Sequence, residues 1–259
     1  MIPSPVRAPN AAGPDGLWLR RPRPVFAPRI RLVCLPHAGG TAGAFYGWAD
    51  ALPDDVELVA VQYPGRQDRL GETCVGAMAP LADSVARELL PLFDRPVALL
   101  GHSMGAALAY EVTLRLEALY RARPLHLFVS GHGSPLSPRG GRDLHLQGDE
   151  AMVEGLLALG GMDPAVVAEP ELLALLLPSF RADLTLIETY RPAAARPVTV
   201  PVTAYVGDAD PGVPVAHAAA WSDATSGEFA LRVFPGDHFS LVMGSEIVTD
   251  VARVLAAPH

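Results

Sequence analysis

The chain has 259 residues, of which 50% are hydrophobic and 19% are charged, and its formal net charge is −8. This composition excludes an intrinsically disordered protein and provides enough apolar residues for the core of an α/β domain. The acidic balance argues against nucleic-acid binding, and no uninterrupted apolar run approaches the roughly 18 residues of a membrane-spanning helix. Without a leader pattern or metal-ligand spacing around its two cysteines, the chain is expected to be a cytoplasmic protein that binds no metal.

The N-terminal segment differs in composition from the remainder of the chain. Residues 1–31 contain six arginines and one aspartate, a net charge of +5, which leaves −13 for the rest. Proline, alanine, glycine and arginine dominate residues 1–28, and no period is sustained there. We therefore predict a flexible basic arm over residues 1–28.

Downstream of the arm, short apolar runs alternate with helical periodicity. The apolar runs predict six strands, at 31–35, 57–61, 96–100, 125–130, 200–206 and 229–234. Apolar residues at three- and four-residue spacing predict helices at 78–93, 106–120 and 241–255. Strands separated by helices favour parallel pairing with helices on both faces. We therefore predict a doubly wound, mostly parallel sheet whose core is formed by 29–136 and 191–259.

One long connection interrupts this alternation. About 70 residues separate the strand that ends at Ser130 from the strand that begins near Val200, whereas a crossover needs only about a dozen. Helices are predicted within it at 149–159 and 171–190, with an interruption at Pro178. Because an insertion after the carboxyl end of a strand lies over the ligand crevice of an open α/β sheet, we predict that 137–190 forms a helical lid.

The pentapeptide Gly101-His102-Ser103-Met104-Gly105 lies between a predicted buried strand and a predicted helix. This context is that of the G-x-S-x-G nucleophile elbow, a turn so sharp that glycine is needed two residues before and after the serine. The turn exposes the serine hydroxyl at the top of the sheet. It predicts an α/β-hydrolase fold with Ser103 as the nucleophile.

A serine hydroxyl needs a base that is oriented by an acid, and in this fold the chain order is serine, acid, histidine. His238 directly follows the last predicted strand, where the base is expected. Asp210 lies in the turn after the strand that ends at Val206, and we predict it as the acid, with Asp208 as the alternative. This assignment predicts a Ser-Asp-His triad.

The oxyanion of the reaction requires two backbone N–H donors. One is expected from Met104, the residue after the nucleophile. The other is expected from the glycine-containing loop after the first predicted strand, at Ala38 or alternatively at Gly39.

Several strings of the sequence together resemble one family. They are Leu35-Pro36-His37-Ala38-Gly39-Gly40, Tyr63-Pro64-Gly65-Arg66, the serine pentapeptide, Arg181-Ala182-Asp183 with Glu188-Thr189-Tyr190, Gly207-Asp208-Ala209-Asp210-Pro211, and Gly236-Asp237-His238-Phe239. From about residue 18 to the C-terminus the chain resembles the type II thioesterases, stand-alone α/β-hydrolases that accompany polyketide synthases and nonribosomal peptide synthetases. The resemblance implies hydrolysis of acyl groups from the phosphopantetheine thiol of acyl or peptidyl carrier proteins, which clears stalled or aberrant chains. It implies no cofactor other than the phosphopantetheine of the partner.

The chain departs from the family at one place. Where members usually carry a G-R-R-A-P string, this sequence reads Gly131-His132-Gly133-Ser134-Pro135, at the start of the lid. Three alternatives to hydrolysis of carrier-bound thioesters are a generic carboxylesterase, a chain-releasing cyclising thioesterase and a non-catalytic carrier-binding module.

Carrier proteins are acidic, as is the body of this chain, so docking is expected to use a local cationic patch. The candidates for that patch are Arg66 and Arg69 after the second predicted strand and Arg139 and Arg142 at the start of the lid. The enzyme is expected to be a monomer.

Overall fold

The computed structural model describes residues 16–137, 143–192 and 196–257. Within these ranges one sheet has seven strands: β1 (Leu19–Arg20), β2 (Ile30–Leu35), β3 (Val56–Val61), β4 (Val97–His102), β5 (Leu127–Ser130), β6 (Val202–Gly207) and β7 (Phe229–Phe234). Their order is β1-β3-β2-β4-β5-β6-β7, and all neighbours are parallel except β1, which runs antiparallel to β3. The predicted mostly parallel sheet is confirmed.

Helices cover both faces of the sheet. The α-helices of the described ranges are α1 (Trp48–Ala51), α2 (Met78–Leu89), α3 (Met104–Arg115), α4 (Asp149–Ala158), α5 (Pro164–Val167), α6 (Pro170–Thr189), α7 (Val215–Ala219), α8 (Ser240–Met243) and α9 (Glu246–Ala256). Short 3-10 helices lie at Ala42–Phe45, Gln67–Arg69, Leu90–Asp94, Leu144–Leu146 and Ala220–Ala224. A π-helix at Leu116–Tyr120 continues α3. In the part of the chain described here, no helix is both long enough and apolar enough to cross a membrane.

The central strands are buried on both faces. Every residue of β2 through β6 is buried, whereas β7 at the edge is only half-buried. In β2, Val33 and Leu35 pack into the core beneath α2 and α3, while Leu32 and Cys34 pack into the core beneath α1 and α9. Side chains alternate between the faces of a strand, so a continuous apolar run supplies both cores.

Two predicted helices differ from the prediction in their continuity. Helix α6 continues through Pro178 instead of breaking there, because one proline removes a single backbone hydrogen bond from a helix of 20 residues. The closing helix, predicted as one segment, is divided into α8 and α9 because the backbone of Gly244 is extended, with ψ 171°.

Part of the predicted arm lies against the sheet. Leu19 and Arg20 pair with Val61 and Ala60 at the sheet edge. The Arg21 guanidinium lies 2.8 Å from the Glu57 carboxylate, and other arginines of the segment pair with acids of the following loops. The positive charges therefore attach residues 16–28 to the acidic body instead of extending them into solvent. Residues 1–15 lie outside the described residues.

The helices predicted for the lid are present between β5 and β6. Helices α4, α5 and α6 form a small core of their own, which contains Met152, Val153, Leu156, Met162, Phe180 and Leu184. Because the carboxyl ends of the parallel strands share one edge of the sheet, the insertion after β5 lies at the same edge as the turn at Ser103.

Candidate active site

Ser103 occupies a strained turn between β4 and α3. Its backbone has φ 54° and ψ −119°, a combination that non-glycine residues rarely adopt. A Cβ on Gly101 would lie 2.0 Å from the Gly105 carbonyl oxygen, and a Cβ on Gly105 would lie 2.1 Å from the Leu35 carbonyl oxygen of β2. Both glycines are thus required by close backbone approach, which holds the serine in its strained geometry.

His238 and Asp210 are joined by a hydrogen bond. The distance from His238 Nδ1 to Asp210 Oδ2 is 2.7 Å. The other carboxylate oxygen, Oδ1, accepts hydrogen bonds from the backbone N–H groups of Gly212 at 2.8 Å and Val213 at 3.1 Å. These contacts assign the donor role to Nδ1 and leave His238 Nε2 as the ring nitrogen with a free lone pair.

The charge state of Asp210 suits this arrangement. Burial by itself would raise the pKa of the Asp210 carboxyl. The hydrogen bond with His238, the electrostatic attraction of the His238 ring and the N–H groups of Gly212 and Val213 outweigh burial, and together they lower that pKa below its ordinary value. Asp210 is therefore ionised at neutral pH and can accept a hydrogen bond from the Nδ1–H group of His238.

The alternative acid, Asp208, has a different role. Its exposed carboxylate accepts a hydrogen bond from the backbone N–H of Gly236 at 3.0 Å. The structure brings Asp210 to His238, whereas Asp208 lies in the turn between β6 and Asp210 and bonds to Gly236.

Ser103, His238, Ala38 and Met104 line one cavity of about 170 Å³. Among the described residues no hydrogen bond links the Ser103 hydroxyl to His238, and such catalytic contacts often form only when substrate binds. Side chains of the lid form much of the remaining wall: Leu144, Leu156, Leu159, Leu184, Ile187 and Glu188. An apolar wall beside a serine suits the hydrocarbon part of an acyl group.

The two candidates for the second oxyanion donor are distinguished by their hydrogen bonds. The Gly39 N–H already donates to Asp183 Oδ2 at 2.7 Å. Ala38 lines the cavity with Ser103, and Met104 is the first residue of α3, where N–H groups have no partner inside the helix. The structure therefore favours Ala38 over Gly39.

Two further histidines surround His238. The ring centroid of His102 lies 5.0 Å from that of His238, and the Phe239 ring contacts His37, His102 and His238 at 4.9 to 5.6 Å. Burial, with the nearby charges of His238 and Arg66, lowers the pKa of His37 to about 4. Burial likewise places the pKa of His102 well below its ordinary value, with His238, His37 and His132 as smaller causes. Both rings are neutral at pH 7, so no competing positive charge stands beside the base.

The structure contradicts half of the predicted docking patch. Arg66 is 2% exposed and makes two hydrogen bonds to the Asp183 carboxylate. Arg69 is 4% exposed, pairs with Glu72 and lies over the Trp18 ring, 4.2 Å from its centroid. The prediction that Arg66 and Arg69 form a docking surface is wrong, because both guanidinium groups are enclosed by protein partners. Arg139 and Arg142 lie outside the described residues.

Several residues that shape the site were not predicted as site residues, namely His37, Asp183 and Phe239. Each lies within one of the strings that carry the resemblance noted in the sequence, which is the signal that could have identified them. In the departing string, Gly131 has φ +60°, and a Cβ there would lie 2.8 Å from His102 and 3.1 Å from His238. Gly131 therefore permits the two histidine rings to pack against the backbone.

Comparison with known proteins identifies similar chains. A family model described as the Thioesterase domain matches residues 30–257. The "Probable cadicidin biosynthesis thioesterase" of Streptomyces griseus is 41% identical over 239 residues, which cover 92% of this chain and 66% of that protein. The "Gramicidin S biosynthesis protein GrsT" of Aneurinibacillus migulanus is 38% identical, with 90% of this chain and 92% of that protein covered.

A solved structure shows the same fold. The type II thioesterase BorB from the borrelidin biosynthetic cluster superposes with a TM-score of 0.81 at 38% identity, over 92% of this chain and 98% of that chain. The predicted α/β-hydrolase fold and the resemblance to the type II thioesterases are both confirmed.

Proposed function

The chain belongs to the type II thioesterases, and we propose that it hydrolyses acyl groups from the phosphopantetheine thiol of acyl or peptidyl carrier proteins through an acyl-Ser103 intermediate. One observation carries the proposal for the site. The strained Ser103 lies in the same apolar cavity as His238, whose Nδ1 is held by Asp210 at 2.7 Å. We further propose that the enzyme edits stalled or aberrant chains in the cytoplasm.

In the acylation step, Ser103 is the nucleophile, His238 is the base and then the acid, and two backbone N–H groups stabilise the oxyanion. Ser103 Oγ attacks the thioester carbonyl carbon while His238 Nε2 accepts the hydroxyl proton, and the carbonyl electron pair moves to oxygen. The resulting oxyanion accepts hydrogen bonds from the Ala38 and Met104 N–H groups. When the C–O π bond re-forms, the C–S bond breaks, and the pantetheine sulfur leaves with the proton held by His238.

Deacylation repeats the sequence with water. His238 Nε2 takes a proton from water as the water oxygen attacks the acyl carbon, and the second tetrahedral intermediate expels Ser103 Oγ, which regains the proton. The products are the free acid and the restored enzyme. Each step uses side chains and backbone of this chain together with water, so the proposal includes no cofactor of the enzyme's own.

The size of the cavity favours hydrolysis of small acyl groups. Its volume of about 170 Å³ is comparable to an apolar cavity of ~150 Å³ that binds benzene. A group of that size fits between Ser103 and the leucines of the lid, whereas cyclisation of a long tethered chain needs space for the folded chain. We therefore propose short acyl groups as substrates.

Comparing carriers with small substrates tests the proposal. Purified enzyme would be given short acyl groups on a carrier protein, on pantetheine and as oxoesters, and kcat/KM would be measured for each. We expect the carrier thioester to be the best substrate and the product to be free acid. Equal values for the carrier and pantetheine thioesters would contradict carrier recognition, preference for the oxoester would indicate a carboxylesterase, and a lactone product would indicate a cyclising enzyme.

Arg139 and Arg142 remain the proposed cationic contact for an acidic carrier. Reversing both charges to glutamate should raise KM for the carrier substrate and abolish its salt dependence, because the attraction that salt screens is removed. Hydrolysis of acyl-pantetheine should stay unchanged. A matched control is the double reversal of Arg87 and Arg95, which are exposed at the end of α2 and just before β4, at the opposite edge of the sheet. Equal effects of the two double variants would contradict a localised docking patch.

A further inference from the structure

Lid helix α6 contacts the loop after β2, which contains Ala38 and Gly39, through one buried carboxylate. Asp183 is 1% exposed, and its Oδ2 accepts hydrogen bonds from the Gly39 N–H and from Arg66 Nη1, both at 2.7 Å. Its Oδ1 accepts from Arg66 Nη2 at 2.9 Å. The carboxylate thus joins a residue of the lid insertion to two loops of the α/β core.

The loop that contains Gly39 is fixed on several sides. Its turn is closed by the hydrogen bond from Gly40 N–H to the His37 carbonyl at 2.9 Å, and Arg66 Nη1 also donates to the Gly40 carbonyl at 3.0 Å. Gly39 has φ +72°, and a Cβ there would lie 2.0 Å from the Phe180 ring of α6. The loop therefore packs directly against the helix face that carries Asp183.

The two halves of α6 differ in burial. The buried residues of the helix are Ser179, Phe180, Asp183, Leu184 and Leu186, and all of them follow Pro178. Before Pro178, the side chains of Leu172 and Leu175 are exposed. The C-terminal half of α6 therefore packs against the α/β core, while the N-terminal half lies on the solvent-exposed side of the lid.

From these contacts we propose that Asp183 is a positioning residue for catalysis. By holding the Gly39 amide, Asp183 sets the orientation of the adjoining peptide and so directs the Ala38 N–H toward the oxyanion. This inference rests on the proposed role of Ala38 as an oxyanion donor. It makes the C-terminal half of α6 a fixed part of the reacting site, so substrate access must come from movement elsewhere in the lid.

A test must separate positioning from stability, because removing one partner of a buried ion pair leaves the other charge unpaired and destabilises the fold. The double variant Arg66→Met with Asp183→Leu removes both charges together, so no buried charge is left unpaired, while the Gly39 N–H loses its acceptor and the Gly40 carbonyl loses the Arg66 donor. The rescue variant, Arg66→Met with Asp183→Asn, loses the same Arg66 contact but keeps an oxygen that can accept from Gly39, so the difference between the two reports the Gly39 hydrogen bond. Asp183→Asn alone likewise retains that oxygen. Glu171→Gln, an exposed carboxylate on the same helix, is the matched control.

Kinetics would be measured on a small acyl thioester, with rates expressed per active site after titration with a fluorophosphonate. Losing one oxyanion donor outright costs about 10²–10³-fold in kcat, so a misdirected donor should cost ~10–100-fold in the double variant, with KM little changed. Asp183→Asn should show a smaller loss, and Glu171→Gln none. Because the substrate carries no carrier protein, this result does not depend on carrier recognition.

A transition-state analogue gives the second measurement. Ser103 Oγ adds to the carbonyl carbon of a trifluoromethyl ketone, its proton passes to His238, and the carbonyl oxygen becomes an oxyanion. In the double variant, the inhibition constant of the trifluoromethyl ketone should rise by the same factor as kcat falls. The dissociation constant of an unreactive thioether analogue should not change. Normal kcat and normal ketone affinity in the folded double variant would overturn the proposal. If that variant does not fold, Asp183→Asn decides, since a raised KM with unchanged ketone affinity would show lid damage alone.

Discussion

Replacing Asp210 with asparagine tests the acid of the triad. Oδ1 of Asp210 accepts two backbone N–H groups, from Gly212 and Val213, so the amide oxygen of asparagine must occupy that position. The NH2 group is then placed at the former Oδ2 position, facing His238 Nδ1. Nδ1 can only accept from this group, so the ring proton moves to Nε2, which then has no lone pair for the Ser103 proton.

The magnitude follows from this fixed orientation. An aspartate-to-asparagine change that imposes the wrong histidine tautomer lowers kcat about 10⁴-fold in a serine protease. At 1.36 kcal/mol for each factor of ten, the loss corresponds to about 5.4 kcal/mol of transition-state stabilisation. Flipping the amide would restore the tautomer but would set NH2 against two N–H donors. We therefore expect the full loss in Asp210→Asn.

The assay is hydrolysis of a small acyl thioester, with thermal denaturation to show that the variant is folded. Asp208→Asn is the matched control, because its carboxylate is exposed and bonds only to the Gly236 N–H among the described residues. Its activity should stay close to that of the wild type. Near-normal turnover of Asp210→Asn, or a larger loss in Asp208→Asn, would refute the assignment.

Three further outcomes are expected. Ser103→Ala should abolish fluorophosphonate labelling and leave at most the residual ~10³–10⁴-fold catalysis over water that binding and oxyanion donors supply, and persistent labelling would exclude Ser103 as the nucleophile. His238→Ala should be about as inactive, because the two residues act as a unit, so turnover close to wild type would remove His238 as the base. The unfolding free energy of the wild type should fall as pH falls from 6.5 to 4, and His37 alone contributes up to ~3 kcal/mol of this loss, because it binds a proton in the unfolded chain but not in the folded one until its pKa of about 4 is reached. The buried His102, whose pKa is also lowered, adds to the loss. Urea denaturation across this range should show a weaker pH dependence for His37→Gln than for the wild type, with His217→Gln as the exposed-histidine control. Equal slopes for His37→Gln and the wild type would contradict the burial of His37.

The centre of the sheet could be predicted because β2 to β6 are buried on both faces and read as continuous apolar runs. The limits of β7 were predicted as they are found, and β2 and β3 each begin one residue earlier than predicted. Strand β1 was not predicted, since two residues contain no period and their partners lie about 40 positions away. Periodicity reports burial of a local segment and carries no information on which distant segment covers it.

The same distinction holds for the site. The order of Ser103, Asp210 and His238 follows from the strand ends that a parallel sheet gathers at one edge, and the structure brings Asp210 to His238. The pairing of Arg66 with Asp183, 117 positions apart, could not be inferred from spacing. An arginine is expected at the surface unless its partner is known, so its burial became visible only in the folded chain.

The strained backbone of Ser103 lowers the stability of the fold but is required for activity. A non-glycine residue in such a backbone conformation costs of order 1–3 kcal/mol, and the fold retains that cost to expose one hydroxyl. Ser103→Gly would relieve the strain, although glycine gains up to ~1 kcal/mol more conformational freedom in the unfolded chain. The inactive variant should therefore melt at or above the temperature of the wild type. A laboratory screen that selects heat resistance alone would tolerate loss of the nucleophile, so screens for stable forms of this enzyme must also select for turnover.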